Sequence, residues 1–137
     1  MPQSLQDIED RLELLKMTLG MFAPEEPAPI AAELVQLGEE ILEHWLLAAG
    51  GTPVADGGEE QLRLLALQAQ CVAREPGFAA CRTACLEVID QATLVTADPE
   101  HAATQERLLV AVAADFHLYT WVTSRMAEAG WRESPRR

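Results

Sequence analysis

The sequence predicts an all-α fold: an up-down antiparallel bundle of four to five helices with a long C-terminal helix. Three observations support this. Apolar residues recur at alternating spacings of three and four in several segments, which lines one face of a helix. The chain is rich in Ala and Leu and poor in aromatic and β-branched residues, which favours helix over strand. The breaks between the periodic segments are short and rich in Pro or Gly, which suits antiparallel neighbours.

The first helix is expected over about 4–22. Ser4 is a good N-cap with Asp7 three residues on, and Leu5, Ile8, Leu12, Leu15, Leu19 and Phe22 form one stripe. Residues 24–29 place three prolines in six positions, a stiff acidic connector. The second helix is expected from near Ala28 to Ala49, with Ile30, Leu34, Leu37, Ile41 and then His44 or Trp45 on its seam. Gly50-Gly51 stops it. The third carries Leu62, Leu64, Leu65 and Leu67 around much of its circumference, so burial on more than one side is expected.

Arg74 to Gly77 read as a turn. The fourth helix, about 78–96, has the clearest seam of the chain: Phe78, Cys81, Cys85, Val88, Ala92, Val95. The fifth is expected from an Asp98 cap and Pro99 to about Ala129, with Leu109, Val112, Phe116, Tyr119, Thr123 and Met126 inward. Residues 131–137 read as a short, Arg-rich, frayed tail. With 137 residues and 49% hydrophobic composition, one domain spanning 1–137 is expected.

Net charge is -12, and it is uneven. Residues 1–60 hold thirteen acids against Arg11 and Lys16; the remainder is close to neutral. Such a surface repels nucleic acid and anionic membranes and attracts a basic partner. No basic stripe with interleaved aromatics is present, so neither nucleic acid nor membrane is an expected partner. The opening residues lack an apolar core of the signal-peptide kind, which points to a cytoplasmic protein with reduced thiols. Nine Arg against one Lys, with abundant Ala, suggests a GC-rich bacterial genome.

Three sets of residues are candidates for chemistry or binding. Cys71 and Cys81 flank the expected turn symmetrically, and Cys85 lies one helical turn beyond Cys81 on the same face. Three converging thiolates would suit zinc or cuprous ion, and two could form a redox disulfide. Buried cysteines also serve simply as small apolar side chains, and no CxxC occurs. A second set, His44 and Trp45 with His117 and Trp121, would line a small-molecule pocket between helices two and five if both histidines point inward. Asp115 and His117 interrupt the most apolar part of the fifth helix, and a buried polar group needs a partner.

The third set is the acidic face of the first two helices. Glu33, Glu39, Glu40 and Glu43 would dock a protein partner there. No phosphate loop, nucleophile elbow, dinucleotide fingerprint, HExxH or ExxH is present. The leading expectation is therefore a non-enzymatic interaction module: an adaptor, accessory subunit or assembly factor. No cofactor is expected beyond zinc or copper at the thiols. Continuous apolar stripes also leave room for a homodimer.

Overall fold

The computed structural model describes residues 3–73 and 78–130. The turn expected at 74–77 and the tail at 131–137 lie outside them. Five α-helices are present among the described residues: α1 (Leu5–Met21), α2 (Pro27–Ala48), α3 (Gln61–Ala73), α4 (Phe78–Ala97) and α5 (Thr104–Ala129). A single 3₁₀ turn, Gly58–Glu60, leads into α3. No strand occurs among them.

Local chemistry explains the helix limits. Ser4 Oγ accepts from the Asp7 N–H at 3.1 Å and caps α1. Phe22 returns to extended backbone ahead of the prolines. Pro27 opens α2 at a position where its missing N–H costs nothing. At the other end Gly50 adopts φ 85°, the left-handed region that glycine tolerates. Its N–H donates to Leu47 O at 3.0 Å, and that of Gly51 to Leu46 O at 2.9 Å, the paired bonds of a Schellman cap.

Two glutamines tie the following loop down. Gln68 accepts from the Val54 N–H at 3.0 Å and donates to Thr52 O at 2.6 Å. Gln61 accepts from the Gly57 N–H at 2.8 Å and donates to Val54 O. Four backbone polar groups of a segment with no helix or strand are thereby paired, and half-buried Val54 is held against the core.

The fifth helix starts later than its sequence suggests. Asp98 provides no side-chain cap; its carbonyl instead accepts from the His101 N–H at 3.2 Å within a series of turns. Only at Thr104 does α5 begin, so 26 residues give about 39 Å. Gly130 ends it with φ 70°.

Helix α2 sits at the centre and packs on α3, α4 and α5; α4 and α5 form the most extensive pair. Helix α1 packs chiefly on α5 and only marginally on α2. It runs opposite to α5: Gln105, at the start of α5, donates to Leu19 O, whereas Phe116 lies below Lys16. Helix α1 thus lies antiparallel to both neighbours, packed chiefly on α5 and tied to α2 through Gln3 with Glu40 and His44 and through Arg11 with Glu33.

The α4 seam is buried throughout, from Phe78 to Val95. Two other seams differ from expectation. In α3, Leu62, Leu65, Ala66 and Ala69 are buried, but Leu64, Leu67 and Val72 are exposed, so only one side is covered. In α5 the buried stripe is Leu108, Ala111, Val112, Asp115, Leu118, Val122 and Met126. Leu109, Phe116, Tyr119 and Thr123 are half-buried at its edge. The stripe is rotated because Asp115 faces in, a placement that polarity alone argues against.

Candidate functional site

The thiols separate. Cys81 and Cys85 are completely buried on α4, while Cys71 is exposed on α3. The three-thiol site for zinc or copper is therefore not formed, and among the described residues no group of three His, Cys, Asp or Glu side chains is placed to hold a metal. Cys81 and Cys85, one turn apart, share a hydrogen bond. That bond, with burial, pushes the Cys81 thiol far up, so it stays protonated and unreactive.

Beside them lies Asp115, fully buried, with neither carboxyl oxygen hydrogen-bonded. Burial first, and the adjacent Cys85 second, hold its carboxyl well above the usual range. The folded state therefore favours its protonated form. Gly38 on α2 makes room for it, since a Cβ there would lie 3.0 Å from Asp115 Oδ1.

The expected pocket of His44, Trp45, His117 and Trp121 is not formed. Trp45 and Trp121 do meet, with ring centroids 5.7 Å apart. Phe78 joins them, edge-on to Trp121 at 5.3 Å, and the three rings pack on one another. The histidines diverge. His117 is exposed and borders an open groove between α4 and α5 with Ala80, Thr83, Glu87 and Val110. His44 is completely buried, and its Nε2–H donates to Gln3 O at 2.7 Å. Glu40, one turn earlier, accepts from the Gln3 N–H at 2.9 Å. The Glu40–His44 spacing thus serves to clamp both backbone polar groups of Gln3 ahead of α1.

This clamp removes Glu40 from the expected docking face, where it is only 7% exposed. Glu33 is committed as well: its carboxylate takes two bonds from the Arg11 guanidinium, at 2.5 and 2.7 Å. Glu39 and Glu43 are half-buried. Burial, then Glu43 and Glu40, push Glu39 up to about 7. Four glutamates close in sequence therefore do not make a free, fully charged surface.

The exposed feature that sequence reading missed is apolar. Leu14, Met17 and Met21 on the outer side of α1, and Phe22 just beyond its end, are 46%, 59%, 66% and 63% exposed. The first three are spaced three and four apart and share a face. Beside them runs a cleft of about 900 Å³ between α1 and α5. Met17, Gly20 and Met21 form one wall, and Leu109, Val112, Ala113 and Phe116 form the other. Lys16 lies across it, with Nζ 5.8 Å from the centre of the Phe116 ring. The signal was present as Leu14-x-x-Met17-x-x-x-Met21, a second apolar stripe opposite the core stripe of α1.

Among the described residues no helix is long and apolar enough to cross a membrane. No known protein-family model, characterised protein or solved structure matches this chain.

Proposed function

We propose that this protein is a non-enzymatic helical docking module, an adaptor or accessory subunit. It receives a helix of another protein in the cleft between α1 and α5. One observation carries the reading: exposed Met17 and Met21 line that cleft, with exposed Leu14 and Phe22 near them in the chain. Exposed apolar side chains scattered singly need no explanation, but a contiguous set beside a groove marks interaction surfaces. Methionines suit such a surface because their unbranched, polarisable side chains adapt to the partner. Two helices side by side with a furrow between them form the seat into which a third helix packs. The acidic α2 residues first expected to dock a partner are instead engaged within the fold or half-buried, so the docking face moves to α1.

Photo-crosslinking tests the assignment. A benzophenone amino acid at position 17 or 21 is expected to give a discrete adduct in cells. The same group at exposed Thr93 on α4 is expected to give none. Adducts from position 39 with none from 17 or 21 would return the docking surface to α2.

A further inference from the structure

Resting on that docking reading, we infer that the partner helix is basic, with an apolar stripe flanked by Lys or Arg. The groove floor is apolar, so charge must be read at its rim. Glu13 lines the cleft at one end. Asp10, exposed, precedes Glu13 by three residues on the same side of α1. On α5, exposed Glu106 lies three and seven residues before Leu109 and Ala113, on the edge that those two residues share. Beyond Phe22 the chain continues through exposed Glu25 and Glu26. Acids thus stand at the Asp10–Glu13 end of the cleft and at Glu106 on the α5 edge, and two more follow Phe22 in the chain.

Of the nearby cations Arg11, Lys16 and Arg107, Lys16 alone lines the cleft, against Asp10, Glu13 and Glu106. Arg11 is bound to Glu33. Lys16 lays its ammonium against the Phe116 ring. Arg107, at 100° per residue, falls on the opposite side of α5 from Leu109 and Phe116. The rim is therefore unbalanced. Complementary charge steers encounter and rejects wrong partners, whereas like charges across an interface are costly. A second copy of this chain would bring its own acids, at net charge -12, against these. A helix with cationic flanks matches both the floor and the rim.

The test uses the full chain and two labelled peptides with the same apolar helical stripe, one flanked by Lys and Arg and one by Glu. Binding is read by fluorescence anisotropy at low salt and repeated at higher salt. The expected result is that the basic peptide binds at least about tenfold more tightly than the acidic one, with the difference shrinking as salt rises. The exposed double substitution Met17→Ser/Met21→Ser should abolish binding, with the helical circular dichroism and melting temperature retained. The triple substitution Asp10→Lys/Glu13→Lys/Glu106→Lys should erase or invert the preference.

Equal binding of both peptides, lost on Met17→Ser/Met21→Ser, would overturn the basic partner and leave the docking face standing. Binding of neither would overturn the partner chemistry, and crosslinking from positions 17 and 21 would decide the face separately. A dimer in sedimentation, dispersed by Met17→Ser/Met21→Ser, would also overturn it by making the occupant a second copy.

Discussion

Gly38 of α2 and Asp115 of α5 are fitted to one another. The missing side chain of the first makes the space into which the carboxyl of the second is buried. A methyl at position 38 would lie 3.0 Å from Asp115 Oδ1 and 3.4 Å from Leu62 Cδ2. Both neighbours are buried, at 0% and 1% exposure, so neither can easily retreat.

Gly38→Ala is therefore expected to destabilise the protein. Alanine in a helix interior is favoured over glycine by about 1 kcal/mol, but overpacking a well-filled core costs about 1–3 kcal/mol. The net expectation is a loss of about 1 kcal/mol by urea denaturation. In an Asp115→Ala background the closest contact is gone, and Gly38→Ala should become stabilising. A change of sign between the two backgrounds is the measurement. Additive effects would show that the two positions do not share this space.

Asp115 also sets a pH dependence. Its carboxyl is raised well above its ordinary value of about 3.9 in the folded chain. Below that ordinary value both folded and unfolded states hold the proton. As pH rises above about 4, the unfolded state releases it while the folded state retains it, so stability falls toward the folded-state pKa. Within that window the slope is up to about 1.4 kcal/mol per pH unit. Asp115→Asn removes the titration but leaves amide donors without partners. Its stability is expected to match or fall below that of the parent chain at pH 4 and to exceed it at pH 8. Parallel pH profiles for the two chains would contradict this.

Glu39 contributes in the same direction. Burial is its largest perturbation, followed by Glu43 and Glu40, and its carboxyl reaches about 7. A carboxyl-carbon NMR titration should find one glutamate with a midpoint near 7. Glu43→Gln should move that midpoint partway down, since the contribution from burial remains. Glu39 is expected to contribute to the residual pH dependence of Asp115→Asn between about 4.5 and 7.

The thiols should divide into one fast and two slow. A maleimide is expected to label Cys71 at once in the native protein. Cys81 and Cys85, at 0% exposure, should react only as the protein unfolds, with rates that follow denaturant concentration. Native labelling of all three, or a stoichiometric metal lost on alkylation, would overturn the packing role described for Cys81 and Cys85.

Much of the fold was legible because helix periodicity is local. Leu5 to Leu19 on α1 and Phe78 to Val95 on α4 show their buried faces in their own spacing, and Ser4, Gly50 and Gly130 mark helix limits by backbone chemistry that needs no neighbour. The candidate sites were less legible because they depend on relative rotation and distance between helices. Spacing placed Cys71 symmetrically with Cys81 about a turn, but exposure differs because α3 buries only the side carrying Leu62, Leu65 and Ala69. The sequence left open whether Asp115 faces in or out, and a glycine on another helix gave it a place inside.

The sequence by itself thus determined a bundle of four to five helices, their approximate limits, the α4 core seam and the concentration of acid in the first sixty residues. The tertiary structure alone decided that α1 pairs with α5, that Glu40 and His44 hold the backbone of Gln3, and that a second apolar stripe on α1 borders an open cleft. The reason is physical. Propensity and capping act within a few residues along the chain, whereas packing and desolvation depend on which surfaces meet, and a helix with apolar residues on two sides does not itself specify which of them is covered.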